Sequence, residues 1–162
     1  MYRTALIPLD GTKSDENVLG HLQAMLDRQE IETVLLARAL QSPPVAAVDY
    51  ALDPAVVAGV EQDLRRSATS YLGRITRRLE WRGAEHDVVV MVGEPAEDLV
   101  STVAKRGVDL ILIASDRRRG AWSWLRTSLL DRLLGAVNVP ITVLSADDTR
   151  GRRQLRVPNL AA

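Results

Sequence analysis

Short apolar runs alternate with segments of helical period along residues 4–144, and few folds can accommodate that rhythm. The first run, residues 4–9 (Thr-Ala-Leu-Ile-Pro-Leu), stops at the turn signal Asp10-Gly11-Thr12 and reads as a buried strand. From Ser14 the apolar positions become Val18, Leu19, Leu22, Met25 and Leu26, the stripe of a one-faced helix. Ser14 is its expected N-cap, and Asp15 and Glu16 suit the positive end of the helix dipole. Residues 33–40 form a second strand, followed by a long loop from Gln41 to Pro54 that contains Pro43-Pro44. Val56, Val57, Val60, Leu64, Tyr71, Leu72, Ile75 and Leu79 keep helical phase, so the spacing predicts a helix over 55–82.

The same alternation continues to the end. Val88 to Val92 is uniformly apolar, the pattern of a strand buried on both faces of a parallel sheet. Gly93-Glu94-Pro95 leads into a helix carrying Leu99, Val100 and Val103, and residues 108–114 form a fourth strand. A fourth helix uses Leu129, Leu130, Leu133, Leu134 and Val137, and residues 140–144 are the fifth strand. Parallel strands need crossovers, and these are almost always right-handed. The chain is therefore expected to be α/β, a doubly wound open parallel sheet of five strands with helices on both faces. One domain over residues 1–146 and a basic tail over 147–162, without periodicity, complete the expected organisation. Folds of this kind bind ligands beyond the carboxyl ends of the strands where strand order reverses, which nominates the loops after the first and fourth strands if those strands are neighbours.

Composition narrows the chemistry. Cysteine is absent, excluding disulfides, thiolate metal sites and a thiol nucleophile. His21 and His86 stand far apart without metal-ligand spacing, and no Gly-x-Ser-x-Gly elbow occurs, so no metal site and no catalytic residue is assigned. No run reaches the length of a membrane span, and the apolar segment from Ala5 to Leu9 is too short for a signal-peptide core; a cytoplasmic protein is expected. Lys+Arg and Asp+Glu both total 21, which gives no indication of a nucleic-acid partner.

The segments Ala5-Leu-Ile-Pro-Leu-Asp10-Gly11-Thr12, Gly93-Glu94-Pro95-Ala96, Asp109-Leu-Ile-Leu-Ile-Ala114-Ser115, Thr127-Ser128-Leu-Leu-Asp131-Arg132 and Val139-Pro140-Ile-Thr-Val-Leu occur in the order seen in universal stress proteins, the UspA-like family. From about residue 2 to residue 145 the chain resembles that family. The resemblance implies strand order 3-2-1-4-5 and homodimers paired through the fifth strand. It also implies ATP binding through a Gly-x2-Gly-x9-Gly-Ser/Thr pattern after strand four, with an aspartate at the end of strand one near the nucleoside. Here the three glycine positions fall on Ala114, Arg117 and Thr127, while the hydroxyl is kept as Ser128 and the aspartate as Asp10. Glycine closes on phosphate because it reaches positive φ and has no Cβ, so Arg117 above all places bulk where backbone would approach an anion. ATP binding in the family's usual pose is expected to be weak or lost, and no cofactor is required.

The ligand-binding candidates are thus Asp10, Gly11, Thr12, Ala114, Ser115, Arg117, Thr127 and Ser128. Arg117-Arg118-Arg119 reads either as a solvated surface run or as a charged clamp replacing the glycine cradle. Asp10 either lines the site or caps its turn, and Ser128 with Asp131 resembles a capping box. Trp122 and Trp124 lie between the fourth strand and fourth helix, where they cover the pocket, form a partner surface, or pack on the helix. Trp81 is expected to pack at the core or its edge. Ile141 and Val143, on an uncharged fifth strand predicted at the sheet edge, are candidates for the dimer contact. Three function classes remain open. They are a non-enzymatic stress-response or signalling homodimer with a degenerate nucleotide motif, a nucleotide-binding sensor using the arginine loop with at most weak ATP hydrolysis, and an adaptor or regulatory subunit for a transporter or kinase.

Overall fold

The computed structural model describes residues 1–12, 15–41, 54–115 and 123–145. The elements run β1 (Tyr2–Pro8), α1 (Asp15–Asp27), β2 (Ile31–Gln41), α2 (Pro54–Arg78), β3 (Glu85–Gly93), α3 (Pro95–Lys105), β4 (Leu110–Ser115), α4 (Ser123–Ala136) and β5 (Ile141–Ser145). The five strands form one sheet in the order β3-β2-β1-β4-β5, and every pairing is parallel. The strand order therefore reverses at β1, which pairs with β2 on one side and with β4 on the other. The tail and most of the arginine loop lie outside the described residues.

The alternation of side chains along the central strands divides the core in two. Ala5 and Ile7 of β1 pack with Val18, Leu22 and Leu26 of α1 and Leu72 and Ile75 of α2, whereas Leu6 packs with Leu99 and Val103 of α3 and Leu133 of α4. Helices α1 and α2 therefore cover one face, and α3 and α4 the other. Ala5, Leu6 and Ile7 are fully buried, which is why residues at the middle of β1 read as a continuous apolar run. The start of the β1·β4 pair is pinned by Asp109, whose carboxylate accepts from the amides of Arg3 and Thr4, both at 2.9 Å, while its own amide donates to the Thr4 carbonyl.

Several sequence expectations are corrected. β3 is the edge strand that the order 3-2-1-4-5 implies, with Val88 and Val90 packed against one core and Val89 and Met91 against the other, but none of its residues is fully buried. Helix α2 ends at Arg78 instead of residue 82, and Val56 and Val60 at its start are exposed, so only its later turns use the apolar stripe. α4 begins at Ser123, so Thr127 and Ser128 lie in its second turn and Ser128 is not its N-cap. His86 falls within β3 instead of before it, and stacks on Trp81 with ring centroids 4.1 Å apart. Trp81 packs against the α1–α2 core as expected and donates its indole N–H to the Thr76 carbonyl at 3.1 Å. Among the described residues no helix is long and apolar enough to cross a membrane.

Candidate functional site

The strand ends at the point of reversal carry the site. β1 stops at Pro8, but the Leu9 amide still donates to the Ala37 carbonyl of β2 at 2.8 Å, which fixes where the following turn starts. The chain then bends sharply. Gly11 has φ of +82°, a left-handed conformation that is open to glycine at little steric cost. The Asp10 carboxylate accepts from the Thr12 amide at 2.9 Å, closing an Asx turn, and the Asp15 amide donates to the Thr12 carbonyl at 3.2 Å as α1 begins.

A buried carboxylate holds this turn from beneath. Asp15 is only 2% exposed, and its Oδ2 accepts from the amides of Asp10 at 3.1 Å and Gly11 at 2.7 Å. The same oxygen accepts the hydroxyl of Tyr71, on α2, at 2.7 Å. Three donors on one oxygen stabilise the buried charge. The phenol responds in turn: burial, and then its bond to Asp15, push the Tyr71 pKa well above the usual tyrosine value. Sequence reasoning assigned Asp15 only to the helix dipole, and the structure shows instead a brace that ties the β1–α1 turn to α2.

Arg38, near the end of β2, completes the group. Its guanidinium carbon lies 4.9 Å from the centre of the Tyr71 ring, a cation–π contact. Its Nη1 comes so close to Gly11 that a Cβ built there would lie 2.7 Å away. Gly11 is therefore required by its backbone conformation, and a side chain there would also displace the end of Arg38. The Arg38 Nε is buried and has no hydrogen-bond partner among the described residues.

The sequence-predicted residues distribute as follows. Asp10, Gly11 and Thr12 form the turn after β1, and Ala114 and Ser115 end β4, the strand beside β1, so the structure brings these two segments to the same rim of the sheet. Ala114 is buried, 5% exposed. Thr127, Ser128 and Trp124 belong to α4, whereas Arg117 and Trp122 lie outside the described residues. Ile141 is buried and Val143 is partly buried in the core beneath α3 and α4. The outer edge of β5 is thus formed by main chain. The joint role of Asp15, Arg38 and Tyr71 at this turn was not read from the sequence, which placed Asp15 at the helix dipole and Tyr71 in the apolar stripe of α2. On the opposite face a shallow groove between α3 and α4 is lined by Ala96, Val100, Ser101 and Ala136. It is bounded by Arg132, which reaches Glu94 at 3.5 Å and Glu97 at 3.4 Å. Among the described residues no cluster of His, Asp or Glu is arranged to hold a metal ion.

Comparison with known proteins gives a consistent result. The family model described as the universal stress protein family matches residues 1–145. The universal stress protein MJ0577 of Methanocaldococcus jannaschii is 24% identical over 155 residues, spanning 89% of this chain and 95% of that protein. The solved structure of MJ0577 superimposes with a TM-score of 0.71 at 22% identity, covering 90% of this chain and 96% of the other. A universal stress family protein of Arabidopsis thaliana, solved with AMP bound, gives 0.60 at 12% identity over 92% and 96%. The universal stress protein of Archaeoglobus fulgidus in complex with dAMP gives 0.52 at 16% identity over 88% and 98%.

Proposed function

This chain belongs to the universal stress protein family, and from that premise we propose that it is a non-enzymatic cytoplasmic signalling module that senses a nucleotide at the carboxyl ends of β1, β2 and β4. The observation that carries the reading is the braced turn. Asp15 and Tyr71 hold Asp10 and Gly11 in one geometry at the strand reversal, which is where an open α/β sheet receives a ligand. The two halves of the crevice have different histories. The turn after β1 is intact and preorganised, whereas the positions that would cradle phosphates are Ala114, Arg117 and Thr127. A long phosphate chain loses its backbone cradle under these replacements, while a base and ribose keep their partners. Two relatives solved with AMP and dAMP support a nucleoside monophosphate as the class of ligand.

Calorimetric titration with matched mono- and triphosphates of adenosine and guanosine tests the reading. For a given base the monophosphate is expected to bind at least as tightly as the triphosphate, with no ATP turnover above the blank. If no nucleotide binds, the sensing function is wrong. Triphosphate binding that is tighter by tenfold and is lost in Arg117→Ala favours instead a charged clamp at the arginine loop.

The module acts as a homodimer joined through β5 in this reading. The support is that β5 lies at the sheet edge, and Ile141–Ser145 contains no charged residue and no proline to block a partner strand.

A further inference from the structure

We propose that Asp87 and Arg65 close the outer rim of β3 to strand pairing and so keep a second copy of the chain from adding its β5 there. The inference goes beyond the function proposed above and does not depend on nucleotide binding. The order β3-β2-β1-β4-β5 leaves two edges, and among the described residues no strand pairs with the outer side of either. If both edges were open, the β5 of one copy would find the β3 of the next. Such a head-to-tail contact does not close on itself and builds a filament, whereas pairing of like edges stops at two chains.

The two rims differ. Ile141–Ser145 of β5 has neither charge nor proline, and its ladder with β4 turns Ile141, Val143 and Ser145 outward. On β3 two outward main-chain groups are already taken. The carbonyl of Val90 accepts from Arg65 Nη1, on α2, at 3.5 Å, and the amide of Val88 donates to Asp87 Oδ1 at 2.8 Å. Asp87 is itself tethered, because Arg106 at the end of α3 donates to its other oxygen at 2.6 Å. That bond first, and then the Val88 amide, hold the Asp87 pKa below the usual carboxylate value and keep the acceptor ionised. The rim is gripped from both faces of the sheet, by a side chain of α2 on one and by a pair anchored at α3 on the other.

The spacing of the occupied groups decides how well they block a strand. In a parallel ladder each bonded residue of an added strand takes one carbonyl and the amide two residues further on. Along the β3 rim these steps are the His86 carbonyl with the Val88 amide, the Val88 carbonyl with the Val90 amide, and the Val90 carbonyl with the Val92 amide. Asp87 occupies a group in the first step and Arg65 one in the last. Val143 and an outward neighbour on an added β5 need two consecutive steps, so any placement over residues 86–92 meets an occupied group. An antiparallel strand would exchange both main-chain bonds with Val88 or Val90, and each has one taken. The Arg106–Asp87 pair is exposed and contributes little stability; its effect is on which groups a second strand finds free.

Sedimentation velocity over a range of concentrations tests this with the full chain, using circular dichroism to confirm folding. The double variant Arg65→Ala, Asp87→Ala is expected to form species larger than two chains whose mass rises with concentration, whereas the wild type keeps a limiting size. Adding Val143→Pro, which removes an outward donor of β5, is expected to abolish the growth. A folded double variant that matches the wild type at every concentration overturns the inference. Growth that survives V143P overturns β5 as the strand excluded, and a wild type that itself grows without limit overturns the closure. If the double variant fails to fold, Arg65→Ala with Arg106→Ala decides by the same readout, because it leaves Asp87 in place but untethered. A wild-type monomer would overturn the β5 homodimer alone, since the closure is read from the difference between variant and wild type.

Discussion

At Tyr71 a single hydroxyl connects a helix to a turn more than fifty residues away in sequence, and its removal has a definable cost. Tyr71→Phe leaves the buried Asp15 carboxylate with its two backbone donors but without the phenol at 2.7 Å. Hydrogen bonds to charged groups contribute about 1.5–3 kcal/mol, so Y71F is expected to lower stability by roughly that amount, measured by urea denaturation at neutral pH. The pH dependence carries a second signature. Burial raises the folded-state pKa of Tyr71 above its unfolded value near 10, so below that pH both states keep the proton and the stabilisation is complete. As pH rises beyond 10 the unfolded chain releases the proton while the folded chain retains it, and stability is lost. Unfolding free energies measured across this range are expected to fall more steeply for the wild type than for Y71F. These residues were poorly legible in the sequence for a physical reason. Asp15 looks like any acidic residue in a first helical turn, Arg38 like one polar position in an apolar strand, and Tyr71 like part of a core stripe. Their roles arise from a contact between elements that no local pattern encodes.

The elements themselves were easier to read, because period and length are local properties. All five strands and four helices occur in the expected order, with ends displaced by a few residues where ladders extend past the apolar runs, as Ile31 and Glu85 do at the starts of β2 and β3. The third strand is informative. The run Val88 to Val92 is as apolar as a central strand although β3 is the edge that the order 3-2-1-4-5 implies, since composition reports the helices packed on each face and not which strands flank it. For β5 the ladder gives a direct test of pairing. Ile111 takes the Pro140 carbonyl and pairs with Ile141, so in a parallel ladder Thr142 supplies the next β5 amide to β4, and the amides of Ile141 and Val143 point outward. Val143→Pro removes an outward donor without breaking the inner ladder. In sedimentation experiments V143P is expected to be a folded monomer where the wild type is a dimer. A wild-type monomer at micromolar concentration would remove fifth-strand pairing.

Over the whole molecule the formal neutrality is a cancellation between halves. Residues 1–100 carry 10 Lys+Arg and 16 Asp+Glu, a difference of −6, and residues 101–162 carry 11 and 5, a difference of +6. Four of the later cations, Arg117, Arg118, Arg119 and Arg126, fall between β4 and the middle of α4, close in sequence to Ala114 and Thr127. Ligand binding at the strand reversal should be felt globally, because the turn is joined to both α1 and α2 on the same face of the sheet. A ligand at a hundred times its dissociation constant stabilises the folded state by about 2.7 kcal/mol. For a domain of this size that corresponds to a rise in Tm of roughly 5–10 °C, observable by scanning calorimetry with saturating nucleotide. The absence of any rise would count against the strand reversal as the binding locus. The brace under that turn has one further consequence. Asp15 grips the main chain at positions 10 and 11, not their side chains. Substitution at the rim can therefore alter what the crevice prefers without dislodging the backbone that shapes it, which leaves a protein of this design able to exchange one small-molecule signal for another over evolutionary time.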